Sequence, residues 1–153
     1  MNSFDRKILD LLQRDVGLSV AEIADKVGLS STPCWRRIRN LEKSGVIRSR
    51  VALLDRDRLG LGVTVYVAVR TREHSAEWLD TFAAAVKALP EVLELHRMSG
   101  DIDYLLKVVV ADIAAYAAFY KRLIERVPLS DVSSSFAMEE IKSTTALPLP
   151  PPD

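Results

Sequence analysis

The chain has 153 residues, of which 48% are hydrophobic, and its 21 Lys and Arg are balanced by 21 Asp and Glu. No apolar run approaches the roughly 20 residues of a membrane-spanning helix. A single cysteine is too few for an internal disulfide. These totals exclude a membrane protein and a disulfide scaffold, and they fit a protein of the reducing cytoplasm.

The charge is distributed unevenly along the chain. Residues 1–60 contain 12 Lys and Arg against 8 Asp and Glu, whereas residues 61–153 contain 9 against 13. The first part is therefore net positive and the second net negative by the same amount. This asymmetry indicates one half that faces nucleic acid and another half that phosphate would repel.

Apolar spacing predicts two helices before residue 29. The first has a stripe of Phe4, Ile8, Leu11 and Leu12, and the second a stripe of Val20, Ile23, Ala24 and Val27. Ser19, followed three residues later by Glu22, predicts a capping box at the start of the second helix. Gly28 then ends that helix, because glycine adopts the left-handed C-cap conformation cheaply.

A third helix, with a basic face, is predicted directly after a tight turn. Ser30 is its expected N-cap, Gly45 its end, and Cys34, Ile38 and Leu41 its buried stripe. Two short helices joined in this way are typical of a helix-turn-helix. Six basic residues lie between Ser31 and Arg50 against one acid, Glu42. Such a face suits phosphates and guanine edges in the major groove, and a solvated basic face without a partner is the alternative.

Ten residues of this region are the predicted contacts to double-stranded DNA. They are Ser31, Thr32, Trp35, Arg36, Arg37, Arg39, Asn40, Lys43, Arg48 and Arg50. Arg37 lies near the edge of the buried stripe, so bracing of the helix packing is its alternative role. Arg48 and Arg50 alternate on VIRSRVALLD, which predicts a strand that turns back as a wing. Solvated charges on an edge strand are the alternative there.

The segment LSSTPCWRRIRNLEKSGVI (29–47) resembles the recognition segment of the leucine-responsive/asparagine-regulator (Lrp/AsnC, or feast/famine) transcription factors. Their pattern reads roughly LSPTPCxxRVxxLExxGVI, and Ser31 stands where the family has proline. Later segments match as well, so the resemblance covers nearly the whole chain. It implies a cytoplasmic, nucleoid-associated regulator of amino-acid metabolism, and a homodimer that assembles to a tetramer or octamer and binds a pseudo-palindromic operator. An enzyme is the third alternative, and it is not expected, because the sequence shows no nucleophile–base pair, metal cluster or phosphate loop.

The remainder of the chain predicts a second domain of the α+β class. Strands are expected at 63–71, 92–98, 104–110 and 132–142, with helices after Ser75 and Asp112 that stop at Pro90 and Pro128. The order βαββαβ is that of a ferredoxin-like (RAM/ACT-like) unit. The predicted boundaries are a winged helix-turn-helix domain at 1–54, a linker at 55–62, an effector-binding and oligomerisation domain at 63–145, and an extended, mobile Pro-rich tail at 146–153. Apolar residues on both sheet faces predict association between copies.

The turn MSGDIDY (98–104) is the second candidate site. Gly100 permits close approach to the backbone, and Asp101 or Asp103 offers a carboxylate to an ammonium group, although a plain β-turn explains the same residues. The resemblance implies an amino-acid effector pocket here, at the dimer interface, with Asp103 as the ammonium ligand. By position, the pocket residues are Met98, Ser99, Gly100, Asp101, Ile102, Asp103, Tyr104, Ile113, Ser135, Phe136 and Ala137.

Three segments resemble most closely a branch of the family that responds to cysteine: HSAEW (74–78), HRMSGDIDYLLKV (96–108) and DVSSSFAMEEIKSTTALPL (131–149). This resemblance makes cysteine the first candidate effector. The alternative function is an architectural DNA-binding oligomer without an effector. No cofactor or metal is expected, because His74, His96 and Cys34 lie in three separate elements without ligand spacing. The segment VPLSDV also lacks the glycine of the family's VPGV or VPGL, which predicts a shorter or reshaped loop before the last strand.

Overall fold

The computed structural model describes residues 1–151, which form two compact units. One unit contains Met1–Leu53 together with the C-terminal segment from Lys142, and the other contains Leu54–Ile141. The first is called the DNA-binding unit below and the second the sheet unit. Residues 152 and 153 of the predicted tail lie outside the described residues.

Three helices build the DNA-binding unit: α1 (Ser3–Leu12), α2 (Val20–Val27) and α3 (Ser31–Lys43). The capping box predicted at α2 is present, with Glu22 N donating to Ser19 Oγ and Ser19 N donating to Glu22 Oε2. The Ser19 hydroxyl also donates to Glu22 Oε2, at 2.7 Å, and this bond together with that from Ser19 N lowers the pKa of the Glu22 carboxyl. Gly28 ends α2 in the left-handed conformation at φ 77°, as predicted.

Ser30 is the N-cap residue of α3, as expected, although its side chain makes no capping hydrogen bond. One local expectation for this unit is wrong. The strand expected in VIRSRVALLD does not form, since residues 46–55 have no strand pairing. Ile47 N bonds instead to Leu41 O at 3.1 Å, which folds the chain back onto the end of α3. The partly buried Ile47 then packs against the helical core.

The sheet unit has the predicted βαββαβ order: β1 (Val63–Arg70), α4 (Ala76–Lys87), β2 (Val92–Arg97), β3 (Tyr104–Val110), α5 (Ile113–Arg126) and β4 (Asp131–Phe136). The strands lie in the order β2-β3-β1-β4 and all neighbours are antiparallel. This confirms the ferredoxin-like prediction. The last strand is shorter than expected, because it ends at Phe136 and not at residue 142.

One sheet face is covered by α4 and α5. Its core contains Val65, Val67 and Val69 of β1, Leu106 and Val108 of β3, and Phe82, Phe119 and Leu123 of the helices. The other face is less apolar than its alternation suggests. Tyr66 is exposed there, and Glu94 Oε1 forms an ion pair with Lys107 Nζ at 3.6 Å while its Oε2 lies 2.9 Å from His96 Nε2. The apolar patch expected on that face is therefore interrupted by charge.

The loop before β4 needs no glycine, because α5 ends in an extended residue. Val127, the C-cap of α5, has an extended backbone at φ −141° and ψ 130°. A helix that ends in this conformation needs no left-handed residue, and Pro128 can follow directly. The segment VPLSDV therefore connects α5 to β4 without a glycine.

The described part of the tail, residues 146–151, contains no helix or strand, which agrees with the extended segment predicted, but its contacts differ from those of a mobile one. Leu147 and Leu149 form backbone hydrogen bonds to side chains of α1, and Leu149 packs against the core of the DNA-binding unit. The described part of the tail is therefore held on the first helix.

The contrast between the two serine caps gives a stability test. Ser19→Ala removes a capping hydrogen bond, so we expect the free energy of unfolding to fall by about 1 kcal/mol. Ser30→Ala is the matched control and should change stability far less, because the Ser30 hydroxyl makes no capping bond. Equilibrium urea unfolding of both variants measures the difference. Equal losses in the two variants would contradict the assignment.

Candidate nucleic-acid interface and effector turn

The orientation of α3 is set by its buried stripe. Cys34, Ile38 and Leu41 are buried against α1 and α2, and burial raises the pKa of the Cys34 thiol. Because 3.6 residues make one turn, this stripe directs the opposite side of α3 outwards. The exposed residues of the predicted contact set on α3 are Ser31, Thr32, Trp35, Arg36, Arg39, Asn40 and Lys43.

Arg37 is the exception within the predicted contact set on α3. Its Nη1 lies 2.9 Å from Asp5 Oδ1 of α1, and its guanidinium lies over the Phe4 ring at 5.5 Å from the centroid. The side chain is only partly exposed. Arg37 therefore braces α1 against α3, which is the alternative role that its position in the sequence suggested.

Glu42 organises two further arginines. Its carboxylate accepts from Arg39 Nη1 at 3.2 Å and from Arg50 Nη2 at 2.8 Å. Arg50 lies in the segment after α3, so one carboxylate connects that segment to the helix. Among the described residues, Arg36, Lys43 and Arg48 have no ion-pair partner. These three cations are exposed and available to phosphate without losing a protein partner.

Trp35 contributes a large apolar surface to the same side of α3. Its side chain is 54% exposed, although tryptophan is usually well buried in folded proteins. An exposed indole among cations is typical of a contact surface and not of a core position.

The candidate effector turn, residues 98–104, is held by backbone bonds and by two side chains. Met98 N donates to Asp103 O at 2.8 Å, Asp103 N donates to Val69 O at 3.0 Å, and Gly100 has φ 115°. Arg70 Nε donates to Asp101 O at 2.7 Å. The Asp103 carboxylate accepts from Thr71 N at 2.8 Å through Oδ2. Asp103 thus already has a structural role before any ligand is considered.

Tyr104 is not available to a ligand from the exposed side of the turn. It is 5% exposed, and its ring lies 5.9 Å from that of Trp78 and 5.0 Å from that of Phe82. These aromatic contacts place the Tyr104 side chain in the core between the sheet and α4.

Within one chain, the candidate effector residues form two separate groups. Met98 to Asp103 follow the end of β2, and Tyr104 pairs with Val69. Phe136 pairs with Val65, and Ala137 N donates to Thr64 O at 2.9 Å. The positions Thr64 and Val69 on β1 are five residues apart, so the two groups lie roughly 15 Å apart along the strand.

The second group lies at the end of the sheet where β3 leads into α5. Ile113, the first residue of α5, is 71% exposed, and Phe136 is also exposed. The Phe136 ring makes an edge contact with Tyr116, whose hydroxyl pairs with that of Ser134. Ser135 and Ala137 are exposed as well. One chain therefore presents the turn and this second group at opposite ends of its sheet.

Sequence reasoning missed the partners that position these sites. Asp5 and Thr71 had no motif to mark them, since each acts through a contact between distant segments. Glu42 carried a signal: it is the one acid in the basic run from Ser31 to Arg50. An isolated opposite charge within such a run is a candidate for organising its neighbours.

Within residues 1–151 no three His, Cys, Asp or Glu residues are grouped in a way that could hold a metal ion. No helix in the same range is long and apolar enough to span a bilayer.

Comparison with known proteins agrees with both units. The family profile described as winged helix-turn-helix DNA-binding matches residues 1–48, and the Lrp/AsnC ligand binding domain matches residues 64–147. The glutamate uptake regulatory protein of Zymomonas mobilis is 55% identical over 150 residues, covering 98% of this chain and 92% of that protein.

Two solved structures share the whole fold. A crystal structure of an AsnC family transcriptional regulator from Agrobacterium tumefaciens has a TM-score of 0.95 at 61% identity and covers 97% of both chains. A transcriptional regulator from Neisseria meningitidis in complex with L-Met has a TM-score of 0.92 at 36% identity, covering 97% of this chain and 96% of that one.

The two domains define a DNA-binding transcriptional regulator with a ligand-binding domain. The extent of the matches goes further than this class, since they cover nearly the full length of the relatives. The chain belongs to the Lrp/AsnC family, as the resemblance of residues 29–47 implied.

The neighbours Arg36 and Arg37 provide a matched pair of variants. Arg36→Ala should leave folding unchanged and weaken operator binding, by about 1–3 kcal/mol if the contact is bidentate to guanine. Arg37→Ala should lower the free energy of unfolding by about 1 kcal/mol, because it removes the ion pair with Asp5 and the contact with Phe4. Gel shifts and thermal unfolding of both variants separate the roles. Full operator affinity in Arg36→Ala would contradict the assignment.

Proposed function

We propose that this regulator inserts the exposed face of α3 into the major groove of an operator. The observation that carries the proposal is the set of unpaired, exposed cations, Arg36, Lys43 and Arg48, beside the fixed arginines Arg39 and Arg50. Cations without protein partners release counterions from DNA at no cost in lost ion pairs. A homodimer would present two such helices to half-sites about 34 Å apart, or a multiple of that, and hence to a pseudo-palindromic operator.

Trp35 is proposed to add sequence preference to this electrostatic attraction. Its exposed indole has a single N–H donor and cannot form the bidentate hydrogen bonds of an arginine, but it offers an apolar surface. In the major groove the thymine C5-methyl group is the apolar feature that such a surface contacts. Ser31, Thr32 and Asn40 lie on the same exposed side and are proposed to contact phosphates or base edges.

We also propose that the sheet unit binds an amino-acid effector. The ligand-binding profile over residues 64–147 supports this, as does the L-Met complex of the Neisseria regulator. A zwitterion needs a carboxylate for its ammonium group and backbone amides for its own carboxylate. The turn from Met98 to Asp103 offers both, through Asp101, Asp103 and the backbone around Gly100. The effector is proposed to be a small amino acid, and cysteine is the first to test.

The separation of the two candidate groups supports a pocket that two chains complete together. The turn of one chain and the group of Ile113, Ser135, Phe136 and Ala137 of another would then line one site. Exposed Ile113 and Phe136 supply apolar surface for such an association. A homodimer, and beyond it a tetramer or octamer, is proposed on this ground. Effector binding would favour one arrangement of the recognition helices over another, which changes operator affinity.

The architectural alternative also has an observation in its favour. Asp103 is engaged by Thr71 N, and Tyr104 is buried, so part of the turn serves the fold alone. A regulator without an effector would need no more of the turn than this. Thermal-shift measurements with the common amino acids separate the two, since a ligand that binds the folded state raises its melting temperature.

The role of Asp103 is tested with a substitution that keeps its structural bond. Asp103→Asn retains an oxygen that can accept from Thr71 N but loses the negative charge. We expect at least a tenfold loss of effector affinity by isothermal titration, because a charged hydrogen bond is worth about 1.5–3 kcal/mol. Asp80→Asn, on the exposed surface of α4 and outside both candidate groups, is the matched control for the loss of one negative charge. Unchanged affinity in Asp103→Asn would remove the proposed ammonium contact.

The role of Trp35 is tested on the DNA side of the contact. Replacing operator thymines by uracils removes only C5-methyl groups, and wild-type affinity should fall by about 1 kcal/mol at the contacted position. Trp35→Ala should bind thymine and uracil operators equally well. Fluorescence anisotropy with four combinations of protein and DNA measures the coupling. Additive effects across the four combinations would exclude a methyl contact by Trp35.

A further inference from the structure

The C-terminal tail makes specific contacts that the DNA-binding function does not itself require. Gln13 Nε2 donates to Leu147 O at 3.1 Å, while Leu147 N donates to Gln13 Oε1 at 2.8 Å. One side-chain amide thus satisfies both backbone groups of a single tail residue. Such a reciprocal pair fixes the register of the tail, which a single bond would not do.

A second contact fixes the direction of the tail along α1. Arg6 Nη2 donates to Leu149 O at 3.2 Å. Arg6 and Gln13 are seven residues apart, about 10 Å along the helix axis, and lie on one face. The tail meets Gln13 first and Arg6 second, so it runs antiparallel to α1.

The two leucines of the tail have different environments. Leu149 packs against the buried cluster of the DNA-binding unit, whereas Leu147 is 70% exposed. Pro148 and Pro150 flank Leu149 and restrict the backbone before it docks. A segment restricted in this way loses less conformational entropy on docking than a flexible one.

We propose that the tail is a strap that connects the end of the sheet unit to α1 and so strengthens operator binding. The chain leaves the DNA-binding unit after Leu53 and returns to it from Lys142, after β4 has ended. A docked tail gives this unit two chain connections to the sheet unit instead of one. A second connection restricts the orientations that a recognition helix samples, and it raises the effective concentration at a second half-site. This last step depends on the proposed dimeric operator binding.

The test compares two substitutions on the full-length chain. Leu149→Asp places a charge where the tail packs, and Leu147→Asp places the same charge on an exposed position two residues away. Hydrogen exchange of the amide at position 147, followed by NMR, reports docking without reference to DNA. Operator affinity by fluorescence anisotropy reports the consequence, and thermal unfolding checks that both variants are folded. A chain ending at Thr145 serves as a second variant without the strap.

In the wild type and in Leu147→Asp we expect the amide at position 147 to be protected. In Leu149→Asp its exchange should accelerate roughly tenfold, since both the apolar contact and the hydrogen bonds it supports are lost. Operator affinity should fall several-fold in Leu149→Asp and in the truncated chain only. An unprotected wild-type amide would overturn the docking, and an undocked tail with unchanged affinity would overturn the strap. Failure of the wild type to bind any operator would instead contradict the proposed function and leave the docking measurement intact.

Discussion

The burial of three side chains on one side of α3 is the constraint on which the DNA-binding unit depends. Cys34, Ile38 and Leu41 fit between α1 and α2, and their burial leaves the helix one rotational setting. Every other property of the helix follows from that setting. Arg36 and Lys43 face away from the protein because the stripe faces into it, and Arg37 reaches Asp5 because it lies at the border. A polar residue in the stripe would lower the stability of the unit. It would also change the rotation of α3 about its axis, and with it the direction in which the cationic face points.

The sheet unit is subject to a comparable constraint from β1. This strand is central in the sheet, with β3 on one side and β4 on the other. The register ties the candidate effector turn to one end of β1, through Asp103 N on Val69 O, and Ala137 to the other end, through Thr64 O. A rigid antiparallel strand keeps these ends apart, so no bending within one chain brings the two candidate groups into one pocket. This geometry is why the effector proposal requires a second copy.

Much of this arrangement could be predicted from the sequence, because its determinants are local. The capping box at Ser19, the left-handed Gly28 and the helical spacing of α3 each depend on residues a few positions apart. The contacts that could not be predicted join distant positions: Arg37 with Asp5, Arg50 with Glu42, and Leu147 with Gln13. The prediction of a wing strand was wrong for a related reason. The β-branched residues Val46, Ile47 and Val51 favour a strand, but Ile47 packs in the helical core and no strand pairs with residues 46–55.

Glu42 shows how an acidic residue can serve the proposed DNA-binding surface. It lowers the net charge of the face, which by itself weakens the attraction to phosphate, yet it orders two guanidinium groups, Arg39 and Arg50. Exposed ion pairs of this kind are worth about 1 kcal/mol or less, so a phosphate can displace the carboxylate at small cost. The loss of net charge, by contrast, applies to every DNA sequence alike, because non-specific binding depends on the number of phosphates neutralised. An organising carboxylate therefore reduces non-specific binding more than it reduces binding to an operator that fits the ordered arginines.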